Sequence, residues 1–267
     1  MSQAAIGIFD SGMGGLTVMR ALKSTLPLEQ FIYLGDTARL PYGTKSAATV
    51  RRYAVQAARA LALRNVKLIV IACNTASLAA QELAENFAPL PVLGVIEPGA
   101  AAALAVAPDG PIAVLATEGT VKAGAYARAI GARAAVVQQA CPLFVPLAEE
   151  GITDGPIAEL VVRRYLDPVL SLHPAPRALL LGCTHYPVLR EVISRIAGPD
   201  LALVDSAHTT AAAVRELMNL HQLRAERSRT PAPRFLVTDA PERFARIGQT
   251  FFGEAIAPDQ VELIDLQ

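Results

Sequence analysis

The sequence predicts an α/β protein built from two similar lobes, each with a mainly parallel central sheet. Short apolar runs of strand length alternate with segments of helical periodicity, which is the pattern of successive βαβ units. The pattern starts again after Glu97-Pro98-Gly99, which we interpret as an internal boundary. We therefore expect a first lobe of residues 1–98 and 207–267 and a second lobe of residues 99–206.

The first half of the chain contains four predicted strands, at residues 6–9, 31–34, 68–71 and 90–96. Three helices are predicted between them: 16–25, a segment that ends near residue 64 with Thr44 or Ser46 as its N-cap, and 76–86. Residues 99–107 are mostly alanine and are flanked by proline on both sides. We expect them to form a packed helix rather than a membrane span.

The second half repeats the alternation. Its strands are predicted at residues 111–115, 134–137, 179–181 and 201–204, with late strands at 235–239 and 261–266. Its helices are predicted at 157–170, 188–197, 209–220 and 241–251, and residues 141–146 are expected to form a loop. The late strands have to join one of the two sheets, and we assign them to the first lobe.

The two halves have similar spacing, which suggests an internal duplication. When the strand at residues 6–9 is laid on the strand that starts at Ile112, Ser11 falls on Thr117. The interval from this strand to a later strand-end cysteine is 67 residues in the first half and 71 in the second. Two unrelated α/β lobes could also show such spacing, so this alternative stays open.

Composition argues against several classes of function. The chain has 24 Lys and Arg residues and 24 Asp and Glu residues, so its net charge is zero. It therefore lacks the excess of basic residues that is typical of nucleic-acid-binding proteins. The sequence shows no signal-peptide pattern before Ile6 and no apolar run of membrane-spanning length, so we expect no membrane association. Three widely spaced cysteines argue against a disulfide framework and a CxxC metal site, and favour free thiols in a reducing cytoplasm.

Residues 10–15, Asp-Ser-Gly-Met-Gly-Gly, connect the first strand to the first helix and allow two interpretations. The turn resembles a phosphate loop, but its glycines do not fit GxGxxG, no GK[ST] follows, and Asp10 would repel a pyrophosphate. Alternatively, the turn is simply tight and its glycines supply backbone torsions that other residues disfavour.

Cys73 and Cys183 each follow a buried apolar run, at the position where open α/β sheets bind ligands. A thiolate and a thiol on opposite sides of one cleft could remove a proton from one face of a carbon and return one to the other face, which inverts a stereocentre. A thiol has an ordinary pKa of about 8.5, so both forms are accessible near neutral pH. Asp10 and His185 are nearby groups that could tune the thiols or shuttle protons.

Small polar residues beside the two cysteines are candidate substrate ligands. Ser11, Asn74, Thr75 and Thr184, with their backbone amides, could hold a carboxylate and an ammonium group. A cysteine after a strand is often only part of the core, and a histidine is often a satisfied hydrogen-bonding residue, so structural roles stay open. We interpret Cys141, which lies among apolar residues and before a proline, as structural.

Four motifs, at residues 10–16, 33–43, 72–77 and 182–187, together resemble the bacterial glutamate racemase family. The resemblance continues at 141–146 and 235–239 and so extends over nearly the whole chain. It implies two pseudo-symmetric α/β lobes with the active site between them and a C-terminal segment that returns to the first lobe. The implied activity is the interconversion of L- and D-glutamate without a cofactor or metal, which supplies D-glutamate for peptidoglycan synthesis.

The resemblance also implies residue roles. The position of Cys73 takes the proton from D-glutamate and that of Cys183 takes it from L-glutamate, while Asp10 and His185 assist the thiols and contact substrate. The other substrate-contacting positions are Ser11, Pro41, Tyr42, Gly43, Asn74, Thr75, Thr184 and, more loosely, Thr120 and Glu149. Family members are commonly homodimers, so we expect one here. Ala116 departs from the family pattern, where glycine is frequent.

Three other functions remain as alternatives. An aspartate racemase would use the same two cysteines, but its second cysteine is typically followed by Thr-Glu, whereas this chain has Thr184-His185. A thiol redox enzyme would form a disulfide between Cys73 and Cys183 during turnover. A binding module built on the turn at residues 10–15 would hold a ligand without exchanging its Cα proton.

Overall fold

The structure is a computed structural model that describes residues 3–266. The strands of this part of the chain form two parallel sheets, with the orders β10-β9-β2-β1-β3-β4 and β6-β5-β7-β8. The strands are β1 (Ile6–Asp10), β2 (Phe31–Gly35), β3 (Leu68–Ile71), β4 (Val92–Gly94), β5 (Ile112–Ala116), β6 (Val136–Ala140), β7 (Ala178–Gly182), β8 (Ala202–Asp205), β9 (Arg234–Val237) and β10 (Val261–Leu263). We call the parts of the chain around the larger and the smaller sheet the first and the second lobe.

Helices cover both faces of each sheet, which explains why the central strands are continuous apolar runs rather than alternating ones. The helices are α1 (Leu16–Thr25), α2 (Ala47–Ala62), α3 (Ala80–Asn86), α4 (Ile96–Val106), α5 (Glu118–Lys122), α6 (Ala125–Ile130), α7 (Phe144–Glu149), α8 (Gly155–Leu170), α9 (Arg190–Ala197), α10 (Ser206–Leu220) and α11 (Pro241–Phe252). The predicted α/β class and most predicted elements are confirmed. Ser46 is the N-cap of α2, since its side chain accepts a hydrogen bond from the Thr49 amide.

The strand predicted at 90–96 is shorter than expected, and Glu97-Pro98-Gly99, which we interpreted as an internal boundary, is helical. These three residues lie in the first turn of α4, which begins at Ile96. Proline is tolerated there because the first amides of a helix have no intrahelical acceptor in any case. The Pro-Gly pair therefore lies at the start of a helix here.

The segment from residue 117 to 149 differs most from prediction. The helices α5 and α6 were not predicted, β6 starts two residues later than expected, and the predicted loop at 141–146 already enters α7 at Phe144. These helices have five or six residues, which is too short to show a periodicity of 3.6. Packing against the second sheet, rather than local propensity, stabilises helices of this length.

The register of the sheets places the two strand-end cysteines at equivalent positions. The first residues of β1 and β3 are paired, and so are the first residues of β5 and β7. Cys73 lies five residues after the start of β3, and Cys183 lies five residues after the start of β7. Ser11 and Thr117 are related in the same way through β1 and β5. The unequal spacing of 67 and 71 residues therefore arises in the connections and not in the sheets.

The chain passes from the first sheet to the second between Gly94 and Ile112 and returns between Asp205 and Arg234. The strand β9 pairs with β2, and β10 pairs with β9, so the C-terminal segment extends the first sheet. We keep the division into residues 1–98 plus 207–267 and 99–206 as a proposal.

Candidate active site

A cavity of about 140 Å³ lies between the carboxyl ends of the two sheets. Its walls include the segments that directly follow β1, β3, β5 and β7, because the carboxyl ends of neighbouring parallel strands meet at one edge of a sheet. Most of the predicted site residues line it: Ser11, Pro41, Tyr42, Gly43, Cys73, Asn74, Thr75, Cys183, Thr184 and His185. Both cysteines therefore face one cavity, as the chemistry inferred from the sequence requires.

Other lining residues were not predicted: Thr44, Thr117, Glu118, Pro142, Val145 and Pro146. The overlay of the two halves made Thr117 equivalent to Ser11, so the overlay could have identified Thr117 as a site residue. Pro142, Val145 and Pro146 lie in a motif of the family resemblance, but only the position of α7 brings them to the cavity.

Three predicted site residues, Asp10, Thr120 and Glu149, are not part of the cavity wall. Asp10 is fully buried at the end of β1. The Thr120 hydroxyl lies 3.3 Å from the hydroxyl of Thr75, which does line the cavity. The Glu149 carboxylate contacts His185. Thr120 and Glu149 are each placed to act through a neighbour that lines the cavity, whereas the Asp10 carboxyl accepts a hydrogen bond from the Gly12 amide.

Cys73 lies in an environment that keeps its sulfur protonated. The thiol donates a hydrogen bond to the Ser11 hydroxyl at 3.6 Å, and the Sγ atom accepts one from the Ala76 amide at 3.5 Å. Burial, together with the charge of Asp10, raises the pKa of Cys73 to about 12. Burial also raises the pKa of Asp10, although the charge of His185 and nearby amides oppose this. Cys73 is therefore a thiol near neutral pH.

Cys183 has a histidine as its polar neighbour. Its Sγ atom lies 3.9 Å from Nδ1 of His185, and Nε2 of the same ring lies 3.3 Å from a Glu149 oxygen. Burial lowers the pKa of His185, but the hydrogen bonds with Cys183 and Glu149 outweigh this and raise it to about 10. The imidazolium form of His185 is thus favoured near neutral pH.

Glu149 connects His185 to the first lobe. Its second oxygen accepts a hydrogen bond from Arg243 of α11 at 3.0 Å. Burial raises the pKa of Glu149, but its contacts with His185 and Arg243 outweigh burial and lower it, so the group is a carboxylate. No sequence signal identified Arg243, because it lies 94 residues from Glu149 and outside every recognised motif.

We expect His185 to make stability depend on pH. Its pKa of about 10 in the folded protein lies above its ordinary value of about 6.5, so folding favours the protonated form. This stabilisation is complete below about pH 6.5 and is lost as the pH rises through about 10. The difference in free energy of unfolding between the wild type and His185→Gln should therefore shrink over that range in urea titrations. A difference that stays constant would contradict the prediction, and His221→Gln, at an exposed position, is the control.

The glycine-rich turn at residues 10–15 is not explained by backbone torsions. None of Gly12, Gly14 and Gly15 has a positive φ, so the interpretation based on torsions is wrong. A Cβ atom at position 14 would lie 2.3 Å from Nδ1 of His185 and 2.6 Å from the Thr184 hydroxyl. Glycine is required at position 14 because two residues of the second lobe pack directly against the backbone of the turn.

Asn74, which lines the cavity, has one acceptor atom that is unpaired among residues 3–266. Its amide nitrogen donates to the Tyr126 hydroxyl at 2.7 Å. Its Oδ1 atom is buried and has no hydrogen-bond partner among residues 3–266. A buried acceptor without a partner costs free energy, so it is a suitable site for a ligand donor such as an ammonium group. The Tyr42 hydroxyl, in contrast, already donates to the carboxylate of Asp36.

Cys141 is fully buried and is not part of the cavity wall. Its thiol donates to the Gln139 carbonyl at 3.5 Å, and burial raises its pKa. These properties fit the structural role that we inferred from the sequence.

Among residues 3–266, no group of three or more His, Cys, Asp or Glu side chains is arranged to hold a metal ion. None of the helices in the same range has the length and apolar character that crossing a membrane requires.

The sequence is similar to those of known racemases. The family model of Asp/Glu/hydantoin racemases matches residues 6–215. A glutamate racemase from Geobacter metallireducens is 48% identical over 256 residues, which are 95% of this chain and 94% of that protein.

Two solved structures are similar over nearly their full length. Glutamate racemase from Thermus thermophilus, in complex with β-chloro-D-alanine, has a TM-score of 0.88 and 43% identity, and the match covers 99% of this chain and 98% of that one. Glutamate racemase from Francisella tularensis, in complex with D-glutamate, has a TM-score of 0.91 and 37% identity. The match covers 100% of this chain and 99% of that one.

Proposed function

The chain belongs to the Asp/Glu/hydantoin racemase family and is an amino-acid racemase, and from this premise we propose that it interconverts L- and D-glutamate by a two-thiol mechanism. The observation that carries the mechanism is the pair Cys73 and Cys183, which occupy equivalent strand ends and face one cavity. A thiol on each side supplies both the base and the acid of a racemisation, so the chemistry needs no cofactor.

In the direction from L- to D-glutamate, the Cys183 thiolate takes the Cα proton and becomes a thiol. The electron pair left on the substrate is delocalised into its α-carboxylate. The Cys73 thiol then gives its proton to the opposite face of Cα and becomes a thiolate. The reverse direction begins from the form in which Cys73 is the thiolate and Cys183 is the thiol.

The electrostatics of the site support this assignment of the resting form. Cys73 has a raised pKa and donates a proton, while Cys183 lies beside a histidine that is protonated near neutral pH. We propose that the enzyme without substrate is poised for L-glutamate. His185 balances the charge on Cys183, and Asp10 is placed to assist proton transfer at Cys73.

Polar groups of both lobes are proposed to orient the substrate. We assign the free Oδ1 atom of Asn74 to the substrate ammonium group. The hydroxyls of Ser11, Thr75 and Thr184 and the backbone of residues 41–43 are assigned to the two carboxylates. Thr120 supports Thr75, and Glu149 supports His185, so we propose that both contribute indirectly.

Hydrogen exchange at Cα tests the activity. We expect the purified protein in D₂O, without pyridoxal phosphate, to convert L-glutamate to D-glutamate with deuterium at Cα, as measured by circular dichroism and NMR. Absence of exchange with glutamate would refute the proposal. Exchange with aspartate alone would identify the aspartate racemase alternative, and a Cys73–Cys183 disulfide formed during turnover would indicate a redox enzyme.

We further propose that the product supplies peptidoglycan synthesis in the cytoplasm, where free thiols such as the three buried cysteines persist. Expression of the chain should restore growth of a bacterial strain that requires D-glutamate, and the Cys73→Ala variant should not. The expected homodimer stays a prediction that light scattering after size-exclusion chromatography can check.

A further inference from the structure

The C-terminal helix α11 contacts the histidine of the second lobe in two ways, although it packs in the core of the first lobe. Phe244 and Phe251 of α11 belong to the core cluster that contains β1 and α1. The Phe251 ring also lies edge-on to the His185 ring, with the ring centroids 5.1 Å apart. Arg243, about two turns nearer the start of the same helix, reaches Glu149, which contacts the other side of the His185 ring.

We propose that Arg243 is a positioning residue that fixes Glu149, which in turn orients His185 beside the Cys183 sulfur. The inference rests on the proposed two-thiol mechanism and extends it, because it makes the first lobe responsible for the geometry of the second lobe's proton-transfer pair.

The contacts of Glu149 support this role. Each of its two carboxylate oxygens has a separate partner: Oε1 meets His185 at 3.3 Å and Oε2 meets Arg243 at 3.0 Å. Glu149 is the last residue of the six-residue helix α7, so little regular structure holds its side chain. Without Arg243, the carboxylate would lose the partner that sets its rotation. A guanidinium is suited to this task because its planar donors fix the direction of the bond.

The exposure of the pair indicates that it acts on geometry more than on stability. The Glu149 side chain is 13% exposed, whereas that of Arg243 is 41% exposed. Ion pairs with a partner this exposed contribute little to the free energy of folding. Replacing Arg243 should therefore leave the fold intact while freeing Glu149 and His185 to move.

The effect of Arg243 should fall mainly on one thiol, Cys183. Glu149 and His185 connect Arg243 to Cys183, whereas Cys73 is hydrogen-bonded to Ser11 and lies within reach of the charge of Asp10, both in the first lobe. Enantiomers have equal free energies, so kcat/KM must fall equally in both directions. Deuterium isotope effects can still distinguish the two proton transfers, because they report which step limits the rate.

The experiment compares Arg243→Met with Arg243→Lys and with Arg246→Met, an exposed control position on the same helix. We expect Arg243→Met to lower kcat/KM for glutamate about tenfold or more, since small displacements of catalytic groups cost up to about 100-fold. The isotope effect on kcat/KM should rise for L-glutamate deuterated at Cα, where Cys183 takes the deuteron, and fall towards unity for the D-enantiomer. Arg243→Lys should recover part of the rate, and Arg246→Met should match the wild type.

The double variant Arg243→Met/Glu149→Gln tests whether Arg243 acts through Glu149. We expect Arg243→Met to have little further effect on kcat/KM in that background, because the residue it positions is already impaired. A full additional loss, or equal changes in both isotope effects, would overturn the role assigned to Arg243. If Arg243→Met unfolds early in thermal melts, the isotope effects of Arg243→Lys decide the question. These outcomes are distinct from failure of the proposed function, in which the wild type itself would not exchange the Cα proton.

Discussion

Cys73→Ala and Cys183→Ala are each expected to abolish racemisation of glutamate in both directions. A racemisation needs a base on one face of Cα and an acid on the other, and each variant leaves only one thiol facing the cavity. General acid–base catalysis by one side chain contributes about 10²- to 10⁴-fold, so kcat/KM should fall by at least this factor. Polarimetry with each enantiomer as substrate measures the loss.

Hydrogen exchange at Cα then distinguishes the roles of the two thiols. Any exchange left in Cys73→Ala should be confined to L-glutamate and should retain its configuration, because Cys183 would both remove and return the proton. Cys183→Ala should show the same behaviour with D-glutamate. Cys141→Ala is the matched control, since Cys141 is buried outside the cavity, and it should racemise both enantiomers. Near-normal racemisation by either active-site variant would refute the two-thiol mechanism.

Gly14→Ala should produce the second large loss of activity. The new methyl group would lie 2.3 Å from Nδ1 and 2.4 Å from Cε1 of His185, which is closer than packed atoms approach. His185 has to move away, and its hydrogen bonds with Cys183 and Glu149 lengthen. A displacement of about 1 Å in a catalytic group can cost about 100-fold, and we expect kcat/KM to fall by roughly this factor.

Gly12→Ala is a control in the same turn. There the added Cβ would meet only Leu40, at 3.5 Å, which is an ordinary contact. Gly12 and Gly14 both lack a positive φ, so the two substitutions differ in contact and not in backbone strain. Gly12→Ala should keep most of the activity and a similar melting temperature. Equal losses in both variants would mean that the turn, and not the approach of His185, needs glycine.

Much of the site was predictable because its residues follow buried strands. Apolar runs identified β3 and β7, and the rule that ligands bind beyond the carboxyl ends of strands singled out Cys73 and Cys183. The overlay of the two halves suggested that these cysteines are equivalent. The sheet register gives this equivalence a structural basis, because both lie five residues after paired strand starts.

The parts that were not predictable depend on contacts between segments far apart in the chain. The helices α5, α6 and α7 are too short to have a visible period, so Glu118 and Val145 could not be assigned to the cavity. Arg243 follows an ordinary amphipathic pattern on α11, and nothing in that pattern indicates that it meets Glu149. The requirement for glycine at position 14 likewise arises from a residue 171 positions away, His185.

The sequence by itself determined the α/β class, the strand-end cysteines and the small polar residues beside them, because hydrophobic periodicity and chain order are local properties. Only the tertiary structure decided that the two thiols face one cavity and have different polar neighbours. Burial raises the pKa of Cys73 and keeps it protonated, while an imidazolium hydrogen-bonded to Glu149 lies beside Cys183. A pKa depends on desolvation and on charges within a few ångströms, and both are set by how distant segments pack.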